Sequence, residues 1–139
     1  MAANSSDTMN SANYLAYIYQ AAELPFDFAA HYFHLVNPEF VVLEGKLLIP
    51  AIGAVDRFAA MRDKGRSPAE AQYWANLFFT SDFMGADTRS KALSLAVSVS
   101  ICWRSAIDRS NFEIAQPVRV CENLAEDEVY IVLSDWDQA

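Results

Sequence analysis

Five side chains in the first third of the chain have types and spacings that could do chemistry: Tyr19, Asp27, His31, His34 and Glu44. Glu44 closes the apolar run Phe40-Val-Val-Leu43, which reads as a strand buried on both faces. If the strand continues through Glu44, its carboxylate shares the face of Phe40 and Val42, where apolar surroundings disfavour the charged form and tune it toward general-base work. The alternative is an exposed turn residue in Leu43-Glu44-Gly45-Lys46. His31 and His34 are three apart, hence neighbours on one helix face. They could be half of a metal site, but no third ligand stands at a recognisable interval, so a polar stripe or a pocket edge is the other reading. Asp27 follows Pro25 and can cap a helix with its carboxylate. Tyr19 shares an inward stripe with Leu15, Ile18 and Ala22 at helical spacing.

Composition bounds what can surround these residues. At 139 residues, 53 % apolar, 13 % aromatic and with four Gly, the chain predicts one folded domain over residues 11–139. Residues 1–10, rich in Asn and Ser, predict a disordered start. A formal charge of −8 disfavours nucleic acid and anionic membrane surfaces as partners, since both need clustered Lys and Arg. The bases that exist include the group Arg57, Arg62, Lys64 and Arg66, whereas from Glu122 onward there are six acids and no base. Either patch is a solvated face or a charge-steered contact. Met1 to Asn10 lacks the basic and apolar runs of a secretory leader, which predicts a cytoplasmic protein. Ala92 to Trp103 is too short for a spanning helix. Cys102 and Cys121 form no CxxC pattern and read as buried thiols, with no cofactor or metal expected.

The elements that must position these groups follow from periodicity and breakers. Ser11 or Asn13 can cap a first helix that runs to about Leu24, and Pro25 stops it. A second helix covers Phe28 to Val36 and ends at Asn37-Pro38. After the strand at Phe40, Leu47 to Ile49 is extended, and Pro50 opens a third helix to about Lys64, ended by Gly65. Ser67-Pro68-Ala69-Glu70 has the form of a capping box that starts one brief helical turn. Tyr73 to Met84 fits helix or strand; it is read as a strand that pairs with Leu93 to Trp103, where large and small side chains alternate. Gly85-Ala86-Asp87 would connect the two as a hairpin. Two more strands, Phe112 to Cys121 and Glu128 to Trp136, flank an acidic loop, and Pro117 predicts an edge or a bulge. The fold class expected is α+β, a cone-shaped curved antiparallel sheet with three helices from the N-terminal half packed on it.

That order and three pieces of sequence resemble the nuclear-transport-factor-2-like superfamily, within it the SnoaL-like polyketide cyclases and ketosteroid isomerases. The pieces are Tyr19-Gln-Ala-Ala-Glu-Leu-Pro-Phe-Asp27, Asn37-Pro-Glu-Phe-Val-Val-Leu-Glu44 and Ala51-Ile-Gly-Ala-Val-Asp-Arg-Phe58; Val129 to Trp136 is similar to the closing strand. The resemblance implies that Tyr19 donates to a developing oxyanion and that Glu44 stands at the base position, where the isomerases have an aspartate. It also implies an alternative acid at His34 or His31, and a homodimer. The family's second acidic donor has no counterpart near Gln116, where no carboxyl group falls.

Three functions are consistent with this reading. The first is cofactor-free isomerisation, dehydration or cyclisation of an apolar carbonyl compound such as a polyketide, terpenoid or steroid-like molecule. Tyr19, Glu44 and His34 would be catalytic, and His31, Trp74, Asn76, Phe78 and Trp103 would bind the ligand; the aromatics among them could equally be core or a dimer interface. The second is a non-catalytic ligand-binding or accessory protein-interaction module, in which Glu44 is exposed and side chains fill the interior. The third is an acidic inhibitor or immunity-type protein that binds a basic partner.

Overall fold

A computed structural model describes residues 10–84, 89–113 and 116–137. The fold is mixed α+β. Two compact units divide it, Met1–Tyr32 and Phe33–Ala139. The frayed start expected over residues 1–9 and the turn expected at Gly85-Ala86-Asp87 lie outside the described residues.

In the first unit, helix α1 covers Ser11–Ala21. Its cap is Asn10 rather than Ser11 or Asn13: the Asn10 side chain accepts from the Asn13 amide at 2.8 Å. Glu23 turns the chain at φ 52°, and Pro25 precedes helix α2, Phe26–Val36, which runs on into the second unit. Asp27 therefore lies inside the first helical turn, where a carboxylate suits the positive helix end.

The second unit opens with a hairpin of β1, Val41–Leu43, and β2, Lys46–Leu48, paired antiparallel with Leu43 opposite Lys46. Glu44 and Gly45 form its two-residue turn at φ 51° and 76°, the positive pair that a tight hairpin demands. The apolar strand expected inside a sheet is exposed along all three residues. Gly53, at φ 77°, joins a single 3-10 turn, Pro50–Ile52, to helix α3, Ala54–Asp63. Helix α4, Pro68–Ala75, starts on the expected cap, with Ser67 Oγ accepting from the Glu70 amide at 3.2 Å. It runs two turns rather than one. Arg57 ties α3 to its end by donating from Nη2 to the Ala75 carbonyl at 2.7 Å.

Tyr73 to Met84 is thus not one strand: it holds the end of α4, a three-residue β3, Leu77–Phe79, and a short α5, Ser81–Met84. Leu93 to Trp103 is not a strand either, and the long hairpin on which the cone depended is absent at that point. These residues lie inside α6, Arg89–Arg109. Ala92, Ala96, Val99, Ser100, Trp103 and Ala106 are its buried positions, a helical spacing in which small residues let the backbone approach the sheet. Of the three serines that create the alternation, Ser94 and Ser98 face solvent and Ser100 is buried.

Strands β4, Val118–Asn123, and β5, Glu128–Leu133, complete an antiparallel sheet ordered β3-β5-β4. Its inner face, with Val118, Val129, Ile131 and Leu133, packs on α6 through Ala96, Val99 and Trp103, and Leu47 and Ile49 join this core. Among the described residues the far edge of β2 pairs with no third strand. Asn76 and Gln72 donate to the Leu47 carbonyl at 2.9 and 3.0 Å, Gln116 accepts from the Leu47 amide at 3.0 Å, and Asn76 accepts from the Ile49 amide at 3.2 Å. Gln72 also donates to Gln116. Buried side-chain amides so replace a neighbouring strand, as buried backbone groups require. No helix among the described residues is long and apolar enough to cross a membrane.

Candidate functional site

Glu44 sits on the tip of the β1-β2 turn, exposed, and its two oxygens accept from Arg62 Nε and Nη2 at 2.8 and 2.9 Å. Those hydrogen bonds hold its carboxyl below the ordinary carboxylate value. A general base near neutrality needs the opposite displacement. Of the two readings of Glu44 the structure shows the exposed turn residue and not the strand residue shielded by apolar neighbours: a positive-φ turn lifts it off the strand and a guanidinium keeps it ionised. Tyr19 is half-buried on α1 in the unit Met1–Tyr32, whereas Glu44 belongs to Phe33–Ala139.

His31 and His34 are both exposed on α2. Among the described residues no three His, Cys, Asp or Glu side chains are grouped to hold a metal ion. The ligand wall read from the sequence divides differently. Trp103 is fully buried, and its indole N–H donates to the Leu35 carbonyl at 2.8 Å. Phe78 packs on Trp103, so both belong to the core between α6 and the sheet. Asn76 is fully buried and spends its amide on Ile49, Leu47 and Leu133. Trp74 is half-buried, edge-on to Tyr73.

The outer face of the sheet carries a second aromatic group. Tyr73 lies against Trp136 at a centroid distance of 5.0 Å, Phe79 against Tyr130 at 5.4 Å, and the Tyr73 and Tyr130 hydroxyls are 3.4 Å apart. Burial, then the Tyr130 hydrogen bond, push the Tyr73 phenol up. Burial likewise raises the Cys121 thiol beside them, so it is a poor nucleophile. Next to Cys121, at the turn end of the β4-β5 hairpin, Arg89 binds Glu122 at 3.0 Å and Asp127 at 2.7 Å, which neutralises part of the acidic end noted in the sequence.

What sequence reasoning missed is the surface of the first two helices. Neither α1 nor α2 has a buried residue, although each is only 11 residues long. Tyr14, Tyr17, Phe26, Phe28 and Tyr32 are all at least half exposed, Phe26 to 81 %. Helices of this length are marginal in water unless an apolar face packs against something. The signal was present in α2: Asp27, His31 and His34 form one narrow polar stripe at i, i+4 and i+7, and its other positions are apolar or aromatic. A helix apolar nearly all round is expected to be covered. The charge pattern carries the second signal, since no Lys or Arg occurs before Lys46, while Glu23 and Asp27 are exposed among the aromatics.

No protein-family model, curated protein or solved structure matches the chain.

Proposed function

We propose that this chain is a non-catalytic protein-interaction module that docks through α1 and α2 onto an apolar groove with a basic rim on another protein. The observation that carries the reading is the pair of 11-residue helices that hold no fully buried residue and leave five aromatics at least half exposed within a stretch free of Lys and Arg. Tyr and Phe are enriched at protein interfaces, and an amphipathic helix in a groove is a recurrent mode of recognition. A second copy of the chain is a poor occupant, because it would bring Glu23 and Asp27 together with no cation on the same surface to meet them.

Magnitudes favour a charge-selected complex. Covering the five aromatics contributes on the order of 10 kcal/mol gross, against an association cost of about 4–15 kcal/mol. Apolar contact alone then gives weak binding, and electrostatic complementarity supplies rate and selectivity. The exposed, ion-paired Glu44 and the filled space around Trp103 accord with this module better than with acid–base turnover of a sequestered carbonyl compound.

The test uses three probes on the intact chain: a synthetic amphipathic helix of Leu and Lys, its Leu and Glu counterpart, and polylysine. The Leu/Lys helix is expected to bind in a salt-sensitive manner, with the other two about tenfold weaker or more. The double variant Phe26→Ser, Tyr32→Ser should weaken that binding by a similar factor without moving the melting temperature. Undiminished binding by the double variant, or equal binding of the acidic helix, sinks the reading.

A further inference from the structure

The loop after α2 and the end of α6 enclose an open cleft of about 430 Å³, walled by Asn37, Glu39, Phe40, Arg109, Ser110 and Phe112. That volume lies in the range of small-molecule sites. Local sequence explains its shape. Asn37-Pro38 ends α2 and turns the chain, and Arg109 is the last residue of α6.

Arg109 is anchored at two nitrogens. Its Nη2 donates to Asn37 Oδ1 and its Nη1 to Ser105 Oγ, both at 2.7 Å. A guanidinium has five N–H groups in a fixed plane, so this anchoring orients the rest for a planar acceptor such as a carboxylate. Glu39 lines the same cleft, is exposed, and has no ion pair or hydrogen bond among the described residues. Ser110 donates its hydroxyl to the Ala106 carbonyl at 2.8 Å, which leaves the oxygen's lone pairs as acceptors. Phe40 and Phe112 stand edge-to-face at 5.8 Å and 86° and supply an apolar wall.

One cleft thus holds an oriented cation, an anion that is not paired with it, and a pair of aromatic rings. We propose that it binds a free α-amino acid with an apolar side chain: the carboxylate on Arg109, the ammonium between Glu39 and the Ser110 oxygen, the side chain against Phe40 and Phe112. The zwitterion satisfies both charges without net charge transfer into the cleft, and a molecule with only one of them leaves the other group unmatched. This proposal does not depend on the docking surface of α1 and α2.

The experiment is a titration of the intact, isotope-labelled chain with L-phenylalanine at millimolar concentration, read from the amide shifts of Glu39, Phe40 and Phe112. N-acetyl-L-phenylalanine, which lacks the ammonium, and L-phenylalaninamide, which lacks the carboxylate, serve as comparisons. L-phenylalanine is expected to shift all three amides, and each analogue to bind at least about tenfold more weakly. Glu39→Gln should remove the preference for L-phenylalanine over the N-acetyl compound, and Arg109→Lys should remove the preference over the amide; unchanged melting curves confirm intact folds. Should the Arg109 variant melt early, Glu39→Gln and the two analogues still decide. Unmoved amides with L-phenylalanine, or equal binding of both analogues, overturn the proposal.

Discussion

Phe78 of β3 and Trp103 of α6 meet with ring centroids 6.2 Å apart and planes inclined at 46°, so an aromatic contact joins the long helix to the sheet. Trp103 adds a partly buried hydrogen bond to the Leu35 carbonyl. Trp103→Ala should destabilise the chain by about 3–5 kcal/mol, the loss typical of a large buried aromatic. Trp103→Phe keeps most of the packing but strands that carbonyl, an effect of about 1–3 kcal/mol. Urea unfolding monitored by far-ultraviolet dichroism would separate the two. A loss under about 1 kcal/mol for the alanine variant contradicts a core role.

These two residues also show how far the sequence could be read. Pro25, Pro38 and Gly65 place the ends of α1, α2 and α3 to within a few residues, and the box at Ser67 places the start of α4, because they act through local sterics and hydrogen bonds. Leu93 to Trp103 fits a strand on sequence because its alternation of serine with large apolar residues satisfies a period of two, while Ala92, Ala96, Val99 and Trp103 satisfy the helical period equally. Only packing decides between them. The strand reading puts Phe78 and Trp103 on a pocket wall. At Glu44 the Glu-Gly pair was a legible turn signal, but the Arg62 contact lies 18 residues away and no local pattern announces it.

Asn76 acts as a substitute strand edge for β2 and β5. Asn76→Leu should leave the Leu47 and Leu133 carbonyls short of donors and the Ile49 amide without an acceptor, with a total cost of more than about 3 kcal/mol. Hydrogen exchange gives the sharper measurement, since the Ile49 amide should lose protection relative to amides within β5. Unchanged protection of Ile49 in a folded variant would mean that its acceptor lies elsewhere.

The Tyr73 phenol, raised mainly by burial, makes a pH prediction. A raised folded value means that the neutral phenol's contribution is complete below the unfolded value of about 10 and is lost as pH climbs from there toward the folded value. Alkaline melts of the wild-type chain should fall more steeply above that point than those of Tyr73→Phe. At neutral pH the two should differ by about 1 kcal/mol or less, because the hydroxyl contact is long. Parallel alkaline limbs would show that Tyr73 ionises freely.

Helices α1 and α2 are the place where stability and function should come apart. Their amides sit in helices with no buried residue, so they should exchange close to the rate of free peptide helices, far faster than those of α6 at Val99 or Trp103. For the same reason, Phe26→Ser and Tyr32→Ser should change unfolding free energy by no more than about 0.5 kcal/mol each. Addition of the Leu/Lys helix should slow exchange along α1 and α2 and leave α6 unchanged, because ordering is then coupled to binding. If α1 is instead as protected as α6 in the free chain, these helices already have a surface to pack on, and their exposed aromatics no longer require a partner.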